Sequence, residues 1–148
     1  MKRLLAIITL LLALVIFSSC NTKLVPIEEC EWKMSAVMSN NGNTLENAND
    51  FVIAVDKADE AHPNAKIVEM TLTAQDGKLV LTDVTNGKTY TGTYTVLRKT
   101  PKSIDYEITL DGIIGYATVA QTKYYDGSEI PTLPINLGNY ALYFVPSN

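Results

Sequence analysis

The sequence predicts an all-β domain, an antiparallel meander of about eight strands closed into a small barrel. Three observations predict it. Glycine-containing turn dipeptides recur through the second half of the chain, at Asp76-Gly77, Asn86-Gly87, Asp111-Gly112, Asp126-Gly127 and Gly138-Asn139. The segments between them alternate apolar and polar residues with the period of two that a half-buried strand requires. The turns follow one another closely, so successive strands are neighbours. A strand number near eight lets such a meander close on itself, which removes the exposed edges of an open sheet. A β-sandwich is the alternative.

In chain order, Lys2 and Arg3 precede an apolar run from Leu4 to Phe17 broken only by Thr9, and Ser18, Ser19 and Cys20 follow at once. The run is shorter than the roughly 20 residues of a membrane span and has the size of a signal-peptide hydrophobic region. Ile16-Phe17-Ser18-Ser19-Cys20 resembles a bacterial lipobox: an apolar position, two small residues and a cysteine, with Phe17 where Leu is usual. The resemblance implies cleavage before Cys20 and diacylglycerol on its sulfur. It also implies a lipid-anchored lipoprotein of the cell membrane or outer membrane, facing outside the cytoplasm. The organisation is then a signal peptide over 1–19, a lipidated Cys20 with its tether over 20–29, and one domain over 30–148.

Removal of residues 1–19 takes Lys2 and Arg3 from the 12 basic residues and leaves all 16 acidic ones, a net charge of −6. An acidic domain repels phosphate backbones, so nucleic acid is not an expected partner. The expected membrane contact is the acyl chains on Cys20, because one chain binds marginally and two or more hold stably. With Cys20 lipidated, Cys30 has no intrachain partner and reads as a small buried apolar residue beside Trp32.

The strands follow from the alternation. Trp32, Met34, Ala36 and Met38 are set against Lys33, Ser35 and Ser39. Residues 44–60 hold either a helix, with Leu45, Ala48, Val52 and Val55 near one face, or a strand; the run Phe51-Val52-Ile53-Ala54-Val55 favours the strand. Later segments run Ile67–Ala74, Lys78–Asp83, Thr89–Leu97, Ile104–Leu110, Ile113–Lys123, Thr132–Leu137 and Tyr140–Val145. In Tyr90-Thr91-Gly92-Thr93-Tyr94-Thr95-Val96 the threonines take one face, expected to be outward, and Tyr90, Gly92, Tyr94 and Val96 the other, expected to be inward.

Trp32 in the first strand, the Gly42 loop, Gly87-Lys88-Thr89-Tyr90-Thr91-Gly92-Thr93-Tyr94, Pro131-Thr132-Leu133 and Tyr140-Ala141-Leu142-Tyr143-Phe144 together resemble the lipocalin-like small barrels of bacterial lipoproteins. Cys30 stands where lipocalins carry a glycine two residues before the tryptophan. The resemblance spans Cys30 to Val145 and implies a calycin-type barrel with an apolar interior.

Signals for catalysis are poor. His62, the single histidine, lies in a polar loop with Asp59, Glu60 and Pro63, and a metal site needs several ligands at fixed geometry. There is no Gly-x-Ser-x-Gly elbow and no phosphate-binding glycine loop ahead of a helix. Asp76-Gly77-Lys78 and Asp126-Gly127-Ser128-Glu129 read as turns, not calcium loops, because the carboxylate spacing is wrong. No catalytic residue, metal or cofactor is expected. The tyrosines are more informative, since each offers apolar area and a hydroxyl that orients a ligand. Trp32, Tyr90, Tyr94 and Tyr106 are the candidate ligand-binding residues. The expected function is non-catalytic binding of a small apolar or amphipathic molecule. An envelope protein with a filled core, acting through its outer surface on another protein, is the alternative.

Overall fold

The computed structural model describes residues 24–39, 52–57, 60, 63 and 65–147. Among them a short 3-10 turn, Ile27–Glu29, precedes the strands β1 (Trp32–Ser39), β2 (Val52–Val55), β3 (Lys66–Ile67), β4 (Met70–Gln75), β5 (Lys78–Asp83), β6 (Lys88–Lys99), β7 (Ser103–Leu110), β8 (Ile113–Lys123), β9 (Glu129–Leu137) and β10 (Tyr140–Pro146). No helix among these residues is long and apolar enough to cross a membrane.

From β4 to β10 every strand pairs antiparallel with the next, and β10 returns to pair with β1. Trp32 and Lys33 of β1 pair in turn with Leu72 and Thr71 of β4. That contact closes an eight-stranded barrel of β1 and β4 to β10, so the two-sheet alternative is not the fold. Beyond Lys33, β1 and β4 diverge. β2 fills the opening, antiparallel to β1 through Ala36↔Val55 and Val37↔Ala54, and parallel to β3 through Ala54↔Lys66. For residues 44–60 the strand reading holds at Val52–Val55; residues 44–51 lie outside the described part.

Local sequence chemistry sets the turns. Asp76-Gly77 and Asp111-Gly112 are two-residue hairpins in which both residues have positive φ, 51° and 76° in the first and 50° and 79° in the second. This is the turn whose twist matches that of the flanking strands. Asn86-Gly87 departs from the two-residue hairpin its sequence suggests. The strands end at Asp83↔Lys88, leaving four residues between them. Asp83 causes the change: its carboxylate accepts the Asn86 backbone N–H at 2.9 Å and the Asn86 Nδ2–H at 2.7 Å, which winds the chain into a wider loop.

Alternation places the core, with two corrections. In β1 the register slips between Met34 and Ala36, so Ser35 and Ala36 together oppose Tyr143. This β-bulge shifts the phase by one residue. Val37 is buried, while Ala36 and Met38 are only half-covered. In β6, Tyr94 is buried but Val96 is 55% exposed, against the inward expectation. β5 begins at Lys78 opposite Thr93; past that level β6 has no strand on that side and no barrel interior to face. A second register slip, between Val96 and Arg98, lies in this overhang.

The interior is otherwise as patterned. Trp32, Met34, Leu72, Leu79, Tyr106, Ile108, Val119, Leu133, Ile135 and Phe144 are all fully buried, one or two from each strand they come from. Burying such a side chain contributes about 1.5–3 kcal/mol, so the contiguous cluster is what drives closure. Two glycines set the wall's curvature. A Cβ at Gly92 would run into the Thr109 carbonyl oxygen, and one at Gly115 into that of Asn136. Only glycine lets these neighbouring strands approach so closely.

Candidate ligand cup at the barrel mouth

The two ends of the barrel differ. One end carries the β4–β5, β6–β7 and β8–β9 turns, and the chain enters there. The 3-10 turn lies across that opening. Ile27 is fully buried, though it falls in the segment 20–29 that reads as tether, so the tether contributes to the core. Its peptide is held on both sides by aromatic side chains. The Trp32 indole Nε1–H donates to the Ile27 carbonyl at 2.9 Å. The Ile27 N–H donates to the Tyr106 hydroxyl at 3.2 Å. Tyr106 packs edge-to-face on Tyr94, ring centres 5.8 Å apart at 73°, an arrangement favoured by the ring quadrupoles. Burial pushes both phenols above their ordinary titration range, and for Tyr94 a hydrogen bond with Glu28 adds to this.

The other end carries the β5–β6, β7–β8 and β9–β10 turns and opens into a cavity of about 520 Å³. Its wall is mostly aliphatic: Val37, Ala54, Val68, Met70, Leu81, Leu110, Ile113, Leu137 and Leu142. Polar atoms come from Tyr90, Tyr140, Lys66, Asn86 and Asp111. Of these, Tyr90 is half-buried and the other four are exposed, so the polar groups sit toward solvent and the apolar ones, apart from the exposed Ile113, below. The cavity is an apolar cup with a polar rim, suited to a molecule that is apolar at one end.

The four candidate ligand residues are therefore divided. Tyr90 lines the cup. Trp32, Tyr94 and Tyr106 do not; they meet beneath it around Ile27. Tyr94 instead borders an open, polar hollow of about 550 Å³ at the closed end, shared with Glu28, Gln75, Asp76 and Gly77, which differs from the cup in its polar lining and not in size. All four face inward, as alternation demands, but inward residues near the closed end are core and those near the mouth are surface of a cavity. The residues missed are the aliphatic ones, which in sequence look like any strand interior. The one usable signal was position, because Ala54, Leu110 and Leu137 sit beside mouth-side loops.

Other marked residues fall as follows. Cys30 is a half-buried free thiol packed against the core, and burial, with Glu29 second, pushes its pKa up, which leaves it a poor nucleophile. The Asp126 carboxylate accepts the Ser128 N–H at 2.9 Å and its hydroxyl at 2.6 Å, which is turn chemistry. No three acidic, cysteine or histidine side chains among the described residues gather as a metal site. Cys20, Asp59 and His62 lie outside the described residues. Compared with protein-family models, with curated proteins and with solved structures, the chain matches none.

Proposed function

We propose that the protein is a lipid-anchored lipoprotein of the cell envelope whose barrel binds a small apolar or amphipathic molecule in the mouth-side cup, without catalysing a reaction on it. The observation that carries the reading is the cup itself. Its volume of about 520 Å³ lies within the 300–1,000 Å³ range of small-molecule sites. Its apolar depth and polar rim would bury a hydrocarbon or ring system and leave a polar end at Lys66, Asn86, Asp111 and Tyr140. The lipobox at Ile16–Cys20 supplies the anchor in this reading, and Cys20 the point of lipidation.

Titration with an environment-sensitive apolar dye tests it. Saturable binding with one site per chain, displaced by a competing amphiphile, is the expected result. No saturable signal removes the ligand-binding reading. The alternative, an envelope protein that acts through its outer surface on another protein, would then stand; Ile114, Tyr116 and Tyr143 are exposed on that wall.

A further inference from the structure

We infer that the closed end of the barrel rests on the membrane that carries the Cys20 anchor, so that the cup opens away from that membrane and is loaded from the opposite side. The inference rests on the anchoring reading above and adds an orientation and a contact face to it.

Chain length limits the orientation. The described chain begins at Leu24, three residues before Ile27, which is buried beneath the closed end. Four residue steps separate Cys20 from Leu24 and span at most about 14 Å when fully extended. The eight residues of β1 rise about 26 Å along the strand, or about 20 Å along a barrel axis to which strands tilt by some 40°. A tether this short cannot pass up the outside of the barrel and set the mouth against the bilayer.

The surface chemistry agrees. The closed-end tips of β6 to β9 carry Leu97, Lys99, Lys102, Lys123, Tyr124 and Tyr125, all exposed. Exposed leucine beside a closed core gains nothing from the fold. Tyrosines with an apolar ring and a polar tip settle at the headgroup level of a bilayer, and lysines near the surface are drawn to lipid phosphates. These are three of the ten basic residues of a mature chain whose net charge is −6, and they lie at the end the anchor brings to the lipid. The acidic residues of the same end are Glu28, Glu29 and Glu31 around the 3-10 turn, Asp76 in the β4–β5 turn, and Asp126 and Glu129 at the β8–β9 turn, where the Asp126 carboxylate is held by Ser128. The contact is therefore borne by the β6–β7 tip, whose segment 97–102 holds no acidic residue, with Tyr124 and Tyr125 at the same end. A ligand reaching the cup comes from the aqueous space or a facing surface, not by lateral extraction from the anchoring leaflet.

Spin-label depth measurement tests this. The protein is purified from bacterial membranes in a Cys30→Ser background, with one nitroxide at Pro101→Cys on the β6–β7 turn or at Asn139→Cys on the β9–β10 turn. It is reconstituted in vesicles of phosphatidylethanolamine and phosphatidylglycerol. The mass of the N-terminal peptide first establishes whether Cys20 carries lipid. With lipid present, the label at 101 is expected to lose several-fold in collision with an aqueous nickel chelate on moving from detergent to vesicles. The label at 139 is expected to be unchanged. Replacing the three lysines by glutamate should restore chelate access at 101. Lipid on Cys20 with both labels fully open to the chelate, or with 139 the shielded one, overturns the orientation alone. An unmodified Cys20 overturns the anchor and the orientation with it.

Discussion

Trp32 donates its indole N–H to the carbonyl of Ile27, at 2.9 Å, with both residues fully buried. The first strand thus fastens the segment that precedes it. Truncation should cost both the packing and the bond. Trp32→Ala is expected to destabilise the domain by about 3–5 kcal/mol. Trp32→Phe keeps much of the ring volume but leaves the Ile27 carbonyl unpartnered, about 1–3 kcal/mol. Urea unfolding of the two variants separates the terms; a loss below about 1 kcal/mol for Trp32→Ala would contradict the assignment.

The tyrosines over Ile27 predict alkaline sensitivity. Burial raises the pKa of Tyr106 and of Tyr94 in the folded state above the ordinary 10.0. A group that holds its proton more tightly when folded stabilises the fold while the unfolded chain is also protonated. That contribution is complete below pH 10 and is lost as the pH rises through the folded values, because only the unfolded phenols ionise readily. Denaturant midpoints should therefore hold level from pH 7 to 9 and fall above 10. Tyr106→Phe should flatten the fall; an unchanged fall would assign it to other groups.

Gly92 tests the curvature of the wall. A methyl group there meets the Thr109 carbonyl, a backbone atom that cannot rotate away. Gly92→Ala is expected to cost about 2 kcal/mol or more, the scale of strained overpacking. Gly87→Ala is the control, since its Cβ would meet nothing within 4 Å and only its φ of 63° is at issue. Equal losses at the two sites, read by thermal unfolding, would argue against the close approach.

Much of the fold was legible in sequence because a meander writes its own connectivity. Each Asp-Gly or Gly-Asn turn marks a neighbour pair, and alternation marks the inner face. What alternation does not encode is height along the barrel. Tyr94 and Tyr90 share a face and differ by four residues. Yet the Tyr94 N–H bonds to the Gly77 carbonyl at the closed-end turn, while Tyr90 lines the cup. Height depends on register between strands, which single segments do not carry. The bulge at Ser35 was hidden for a related reason. Its hydroxyl donates to the Tyr143 carbonyl at 3.2 Å and its own carbonyl accepts the Asp56 N–H, both long-range partners. Asp83 is only 4% exposed; its partner three residues on was visible, but nothing local showed that the loop would close over it.

The anchor has a direct test. Cys20→Ser removes the thiol on which the lipobox reading depends, so metabolic labelling with a fatty-acid analogue should mark the wild type and not the variant. The released domain should keep its unfolding midpoint, because the described core begins at Ile27. Equal labelling of both proteins would sink the reading.

The cup predicts an uncoupling of binding from stability. Ala54 is buried in the β2 wall and borders the open volume. Enlarging a side chain in a filled core forces strain of about 1–3 kcal/mol. Ala54→Phe should instead project into the open volume of the cup, so its cost should be small, below about 1 kcal/mol or roughly 4 °C in Tm. The same ring would occupy volume a ligand needs. Dye affinity should fall at least tenfold while the unfolding transition stays cooperative. Tyr90→Phe, at the half-buried edge of the rim, should weaken binding by a smaller factor because only a hydroxyl is lost. Tyr94→Phe should leave dye affinity unchanged, since Tyr94 lies outside the cup. If Ala54→Phe unfolds the domain while leaving dye affinity intact in what remains folded, the site is elsewhere. If Tyr94→Phe weakens the dye more than Tyr90→Phe does, ligand reaches the closed end, and the division of the barrel into a packed half and an open half is wrong.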